Sequence, residues 1–277
     1  MDVSRSNLAN QAKATAASRS PYAMPDDVWL VPIILEIATG RPTYGYRRIT
    51  VLLNRKLLEL KKPTVNRKRI YRIMKQYQLL LQRHTGKPTR THDGKVITLH
   101  SNTRWCSDAF AIQCWNGDRV HVVFSLDTCD REAIRYLSST IGVDGEMVRD
   151  LMVESIEARF GRIDKLSNPV QWLSDNGPCY TANETIATGR MLGFEICTTP
   201  AYSPESNGMA EAFVKTFKRD YVWFGDLASA PRVMEQLAGW FEDYNERAPH
   251  KGLKMMSPRQ YMRANPATVT IQKCASL

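Results

Sequence analysis

The sequence predicts an α/β module, a mixed five-stranded sheet flanked by helices, preceded by an all-α helix-turn-helix region. Two observations carry this reading. Residues 1–104 hold 20 Lys/Arg against 6 Asp/Glu, a balance of +14, whereas residues 105–277 hold 18 against 22, a balance of −4. The texture also changes at Arg104, from runs with helical period to short strand-like runs that later alternate with helices.

In the front segment, residues 1–24 read as a polar leader. DDVWLVPIILEIATG (26–40) reads as a helix kinked near Pro32, broken by the Gly40–Thr43 string GRPT. YGYRRITVLLNRKLLEL (44–60) sets Ile49, Leu52, Leu53 and Leu57 at helical spacing. VNRKRIYRIMKQYQLLL (65–81) has Asn66 as a cap, Ile70, Ile73, Met74 and Tyr77 on one face, and Lys68, Arg72 and Lys75 on another. Short helices ending in a basic one predict a helix-turn-helix over 25–83, whose last helix brings Arg67, Lys68, Arg72 and Lys75 to double-stranded DNA. A run such as NRKR is ordinarily a solvated helix face. The charge excess over three consecutive segments instead favours a polyanionic partner. Residues 84–103, rich in Gly, Pro, Thr and basic side chains, read as a linker able to track phosphates. Its Gly-Lys pair lacks the rest of a phosphate-binding loop, so no nucleotide cofactor is expected.

Composition sets outer bounds. The 277 residues are 43% hydrophobic, with no apolar stretch near twenty and no apolar centre in the first 24. A cytosolic protein with no membrane segment is expected. Six cysteines without a CxxC pair and five scattered histidines predict reduced thiols and no zinc.

From Arg104, the runs 104–115, 118–129 and 133–142 read as antiparallel strands, the first two joined by Asn116-Gly117. A helix at 145–161, a strand at 170–175, a helix around 181–192 and a strand at 194–199, ended by Pro200, complete the sheet. The core is placed at 104–225 and a C-terminal helical extension at 226–277.

Asp108 lies within the first strand, Asp175 ends the fourth, and Glu211 follows after 35 intervening residues. Strand ends plus a nearby helix bring such carboxylates together, and carboxylates so placed repel one another unless a cation binds. A hard ion such as Mg2+ suits oxygen-only donors, and two such ions suit phosphodiester chemistry. Asp118, Asp127 and Asp130 compete for the first-strand role and are assigned to turns, the strand edge or salt bridges. Glu211 itself sits in SPESNGMAEAFVKTFKRDY (203–221), a helix with Ser203 as cap and Pro204 at its first position. Ala210, Phe213, Val214, Phe217 and Tyr221 form its buried stripe, with Glu211, Lys215 and Lys218 on a neighbouring face. Glu211 and Lys215 are also spaced as an i,i+4 ion pair, worth about 0.3–0.5 kcal/mol.

The set WCSDAF, WLSDNGPCY and SPESNGMAEAFVKTFKRDY resembles the core of retroviral-integrase-type insertion-sequence transposases. TYGYRRI, VNRKRIYRIMKQ, LDTCDREAI and YNERAPHKGL…SPRQY resemble, more closely, the orfB-type transposases of the frameshifting bacterial insertion elements, in particular the second-frame product of the element numbered two. This likeness spans about Tyr44 to Tyr261 and implies a ribonuclease-H-like fold. It also implies Asp108, Asp175 and Glu211 as ligands of Mg2+ or Mn2+, and Lys218 as a DNA contact; Lys215, on the same helix face, and Asn176, beside Asp175, are further DNA-contact candidates. The implied reaction exposes a 3′-hydroxyl at a transposon end and joins it to another phosphodiester, in an oligomer on DNA. An upstream-frame product, fused or separate, is the implied partner, since the chain opens on its own Met and shows no heptad run. The loop Gly252–Met256 departs from the more polar aromatic form expected there. The rival readings are a non-catalytic regulator that binds transposon ends and a nuclease of the same fold that cuts without joining.

Overall fold

A computed structural model of the chain describes residues 27–82, 98–198 and 208–266. It divides into two compact units, 1–82 and 83–277.

The first unit holds helices α1 (Leu30–Gly40), α2 (Tyr46–Glu59) and α3 (Arg67–Gln76). Leu30, Ile34, Ile49, Leu53, Leu57, Ile70, Ile73 and Met74 are buried together between them. The kink expected at Pro32 does not arise. Pro32 stands in the first turn of α1, where a backbone N–H has no intrahelical partner to lose. The turn into α3 is fixed from α2: the Asn54 side chain donates to the Val65 carbonyl at 3.0 Å and accepts its N–H at 2.8 Å. Asn66 caps α3 as expected, accepting the Lys68 N–H at 3.0 Å. The helix stops earlier than the sequence suggests, since Gln78 takes a left-handed φ of 57°. Tyr77, expected on the buried face, lies past the helix end and is 46% exposed.

The second unit is built on a five-stranded sheet of β1 (Arg104–Gln113), β2 (Arg119–Asp127), β3 (Ala133–Ser139), β4 (Val170–Ser174) and β5 (Phe194–Thr198), in the order β3-β2-β1-β4-β5. β1, β2 and β3 are antiparallel, with Asp108 opposite Phe124 and Trp105 opposite Asp127. β4 joins β1 in parallel, Cys106 beside Leu173, and β5 joins β4 likewise. The β1–β2 hairpin turns at Asn116-Gly117, with Gly117 at a φ of 95° that suits glycine.

Because strand side chains alternate, the sheet has two apolar faces. Trp105, Val123, Trp172 and Phe194 face α4 (Gly145–Phe160), whose N-cap Asp144 accepts the Met147 N–H at 2.9 Å. α5 (Pro178–Thr181) and α6 (Asn183–Met191) stand where the sequence suggested one helix, separated at Ala182. Cys106, Phe110, Val122 and Phe124 face α7 (Gly208–Asp220) and α8 (Ala230–Glu246). Ala210, Phe213, Phe217 and Tyr221 are buried and Val214 is half-buried, so the stripe read from the sequence is present. The Ser203-Pro204 start lies outside the described residues. α8 is integral to this layer: Phe241 stacks on Tyr136 at 4.0 Å and meets Phe217 at 4.6 Å. α9 (Pro258–Ala264) begins with a reciprocal capping box between Ser257 and Gln260. No helix among the described residues is long and apolar enough to cross a membrane.

Candidate active site

The parallel register of β1 and β4 sets the site. Two residues beyond the Cys106–Leu173 pair, both chains carry a carboxylate: Asp108 within β1 and Asp175 just past the end of β4. Asp108 is opposite Phe124 and two residues from Cys106 and Phe110, so it shares their face of the sheet, the one covered by α7.

α7 is locked over β1 by aromatic contacts. Phe213 lies 4.4 Å from Phe124 and Phe217 lies 5.7 Å from Phe110, centroid to centroid. That fit leaves Glu211 exposed in the first turn of α7, on the flank of the buried stripe. Lys218, two turns on, holds its Nζ 5.5 Å from the centre of the Phe110 ring, two residues along β1 from Asp108. Lys215 is exposed between them, and no ion pair joins it to Glu211.

Electrostatics link the three carboxylates. Burial pushes Asp108 up to about 6, the Ala109 N–H donated to its Oδ1 at 2.7 Å opposes this, and the charges of Asp175 and Glu211 push it further up. Asp108 therefore feels both other carboxylates. As the side chains stand, no three His, Cys, Asp or Glu among the described residues form a group that could hold a metal ion.

Asp175 is fixed by its own turn, its Oδ1 accepting the Gly177 N–H at 2.9 Å. A Cβ on Gly177 would stand 3.0 Å from that oxygen and 3.6 Å from the ring of Tyr180. Tyr180 is buried beneath the turn, with its hydroxyl 2.9 Å from that of Ser107. It laces the turn carrying Asp175 to the β1 residue next to Asp108. Sequence reasoning did not single it out; its signal was an aromatic five residues after a strand-end aspartate, which alone reads as core.

The competing aspartates have structural work. Asp118 closes the hairpin, accepting from Asn116 Nδ2 at 2.7 Å and from the Ala230 N–H at 3.3 Å. Asp127 and Asp130 are fully buried and both face Arg159, which also binds Glu132. Burial and Asp130 push Asp127 up, and Arg159 opposes them.

In the first unit, Arg67, Lys68 and Lys75 are exposed on α3. Arg72 does not join them. Its Nη2 donates to Asp27 at 2.5 Å beside Arg69, whose Nε donates to the same carboxylate at 2.6 Å. The ion pair turns this arginine toward the start of α1, although helical period alone puts it with the lysines. Asn176 is exposed beside Asp175.

Comparison with known proteins fits this layout. Residues 99–204 and 192–258 match two families, each described as integrase core domain, and residues 26–87 match an HTH-like domain. Transposase InsD for insertion element IS2A/D/F/H/I/K of Escherichia coli is 48% identical over 240 residues, covering 86% of this chain and 79% of that protein. The chain belongs to the insertion-element transposase family. The same identity and coverage hold for the family member InsD for insertion element IS2 on F plasmid, from Escherichia coli strain K12. Among solved structures, a simian T-cell lymphotropic virus intasome in complex with PP2A regulatory subunit B56 gamma aligns with a TM-score of 0.53 and 16% identity. That alignment covers 88% of this chain and 79% of that one, a likeness of fold. The sheet and its helices have the ribonuclease-H-like integrase fold, and the family's enzymes are integrase-type nucleases and strand transferases.

The donor chemistry fits a divalent metal. Asp108, Asp175 and Glu211 offer oxygen alone, with no thiolate or imidazole in the set, which selects hard cations. Their mutual repulsion at Asp108 is what a bound cation relieves.

Proposed function

We propose that the chain cleaves the ends of an insertion element and joins the freed 3′-hydroxyl to a second phosphodiester, with Asp108, Asp175 and Glu211 holding two Mg2+ or Mn2+ ions. Bound there, the ions would activate the attacking oxygen and stabilise the leaving one. The observation that carries this reading is the parallel register of β1 and β4, which puts Asp108 and Asp175 at matching positions on neighbouring strands, with α7 and its Glu211 packed over the Asp108 face.

The chain's own residues do the positioning. Asp108 is held by the pairing of β1 with β2 opposite Phe124, and Asp175 by its turn, closed by Gly177 and backed by Tyr180. Glu211 rides on a helix clamped by Phe213 and Phe217. To hold the ions, these three carboxylates would come within ligating distance of one another. Lys215 and Lys218, one and two turns after Glu211, hold the phosphates flanking the scissile bond, and Asn176 contacts DNA beside Asp175. No side chain forms a covalent bond to DNA. Arg67, Lys68 and Lys75 of α3 contact the duplex of the terminal repeat, and Arg72 supports them from behind through Asp27. Two ends must be joined in one event, so the working form is an oligomer on DNA, assembled with an upstream-frame product, fused or separate, at the bacterial nucleoid.

The test is a strand-transfer assay on labelled element-end DNA with Mg2+, using the chain alone and fused to its upstream frame. Joined products that disappear in Asp175→Asn and Glu211→Gln support the proposal. Tight DNA binding with no nicking or joining by either form favours a regulator, and nicking without joining favours a nuclease.

A further inference from the structure

The turn after β2 and the loop between α8 and α9 meet around cations that none of the roles above uses. The turn is braced from within: Asp127 Oδ1 accepts the N–H groups of Cys129 at 2.7 Å and Asp130 at 3.2 Å, and Asp130 Oδ1 accepts that of Glu132 at 2.9 Å. At its tip Arg131 takes a left-handed φ of 62°, uncommon for a residue other than glycine. Its guanidinium lies against Gly252, where an added Cβ would fall on the guanidinium nitrogens.

Gly252 is flanked by Lys251 and Lys254, both exposed. Their loop is closed on itself, with the N–H groups of Leu253 and Met255 donated to the His250 carbonyl at 3.0 and 2.9 Å, and that of His250 to Met256 at 3.0 Å. The nearby carboxylates are already engaged: Asp127, Asp130 and Glu132 by Arg159, Glu132, Glu242 and Glu246 by Arg259, and Glu246 by Arg263. No carboxylate among the described residues forms an ion pair with Arg131, Lys251 or Lys254. Other cations of residues 105–277 also lack an ion pair, but these three converge where a braced turn meets a closed loop, in a segment whose net charge is −4.

We propose that Arg131, Lys251 and Lys254 form a further phosphate-contacting site for duplex DNA, separate from the carboxylates and from the helix-turn-helix. The proposal rests on the reading of the chain as an enzyme acting on DNA. The turn begins at Asp127, opposite Trp105, three residues and so about 10 Å along β1 from Asp108. The loop follows α8, on the same face of the sheet as α7 and Glu211. The site thus contacts the backbone of the duplex flanking the scissile phosphate.

The test measures binding of the full chain to a duplex containing an element end and its flank, as a function of KCl. Replacing all three by Gln makes the plot of log K against log salt shallower by roughly 0.9 per cation, about 2.7 in total. Gly252→Ala keeps every charge but pushes the Arg131 guanidinium aside, and it weakens binding while Tm is unchanged. Should Arg131→Gln impair folding, the double variant Lys251→Gln, Lys254→Gln carries the test with an expected change of about 1.8. An unchanged slope in the folded variants overturns the site, leaving three solvated cations. If that slope is unchanged but falls in Lys68→Gln, Lys75→Gln, the site fails and the DNA reading stands. No salt-dependent binding by the wild-type chain overturns both.

Discussion

Asp108 and Asp175 each stand two residues past the paired Cys106 and Leu173 of neighbouring parallel strands, the first half-buried within β1 and the second exposed in the turn past the end of β4. Burial, joined by the charges of Asp175 and Glu211, lifts Asp108 from its ordinary 3.8 to about 6. The folded state therefore binds more protons than the unfolded state between those values, and the wild-type protein loses stability as pH rises through that window. Asp108→Asn removes the loss. Without metal, the variant's Tm exceeds that of wild type at pH 7.5, and the difference shrinks to nothing by about pH 4. Adding Mg2+ raises the wild-type Tm more than the variant's. Thermal scans at several pH values check both statements.

Arg159 neutralises a buried acidic cluster. Its side chain is 4% exposed and serves Asp127 and Asp130, which are wholly buried, together with Glu132. Arg159→Met leaves those charges uncompensated and costs about 3–5 kcal/mol in denaturant unfolding. A loss under about 1 kcal/mol shows that the cluster is not held by this arginine.

In the helix-turn-helix, two kinds of basic residue share α3. Lys68→Ala and Lys75→Ala weaken DNA binding and flatten its salt dependence by roughly 0.9 each, with Tm unchanged. Arg72→Ala lowers Tm by undoing its bond to Asp27. Equal effects of the three on binding, with none on stability, argue against the division.

Much of this was legible in the sequence. Asp108 falls within one strand and Asp175 at the end of another that a mixed sheet makes its neighbour, and the aromatic stripe of α7 fixed which flank of that helix carries Glu211. What escaped depends on long-range partners or on a boundary. Arg72 has the period of Lys68 and Lys75, but its partner Asp27 lies 45 residues away, before α1. Asp127 and Asp130 have the turn and salt-bridge roles assigned to them, but their partner Arg159, on a helix of weak amphipathic pattern, gave no sign of pointing inward. Pro32 reads as a kink or as a harmless first-turn residue according to where α1 starts, and Tyr77 as buried or exposed according to where α3 stops. Such boundaries move with the tertiary contacts around them.

The central claim, that three carboxylates make one metal site, is tested most directly by titrating Mn2+ into the full chain and counting bound ions by paramagnetic resonance. The account predicts binding by the wild type and its loss or marked weakening in each of Asp108→Asn, Asp175→Asn and Glu211→Gln, all folded by circular dichroism. Wild-type Mn2+ affinity in any one of the three variants contradicts it, because that carboxylate then lies outside the site.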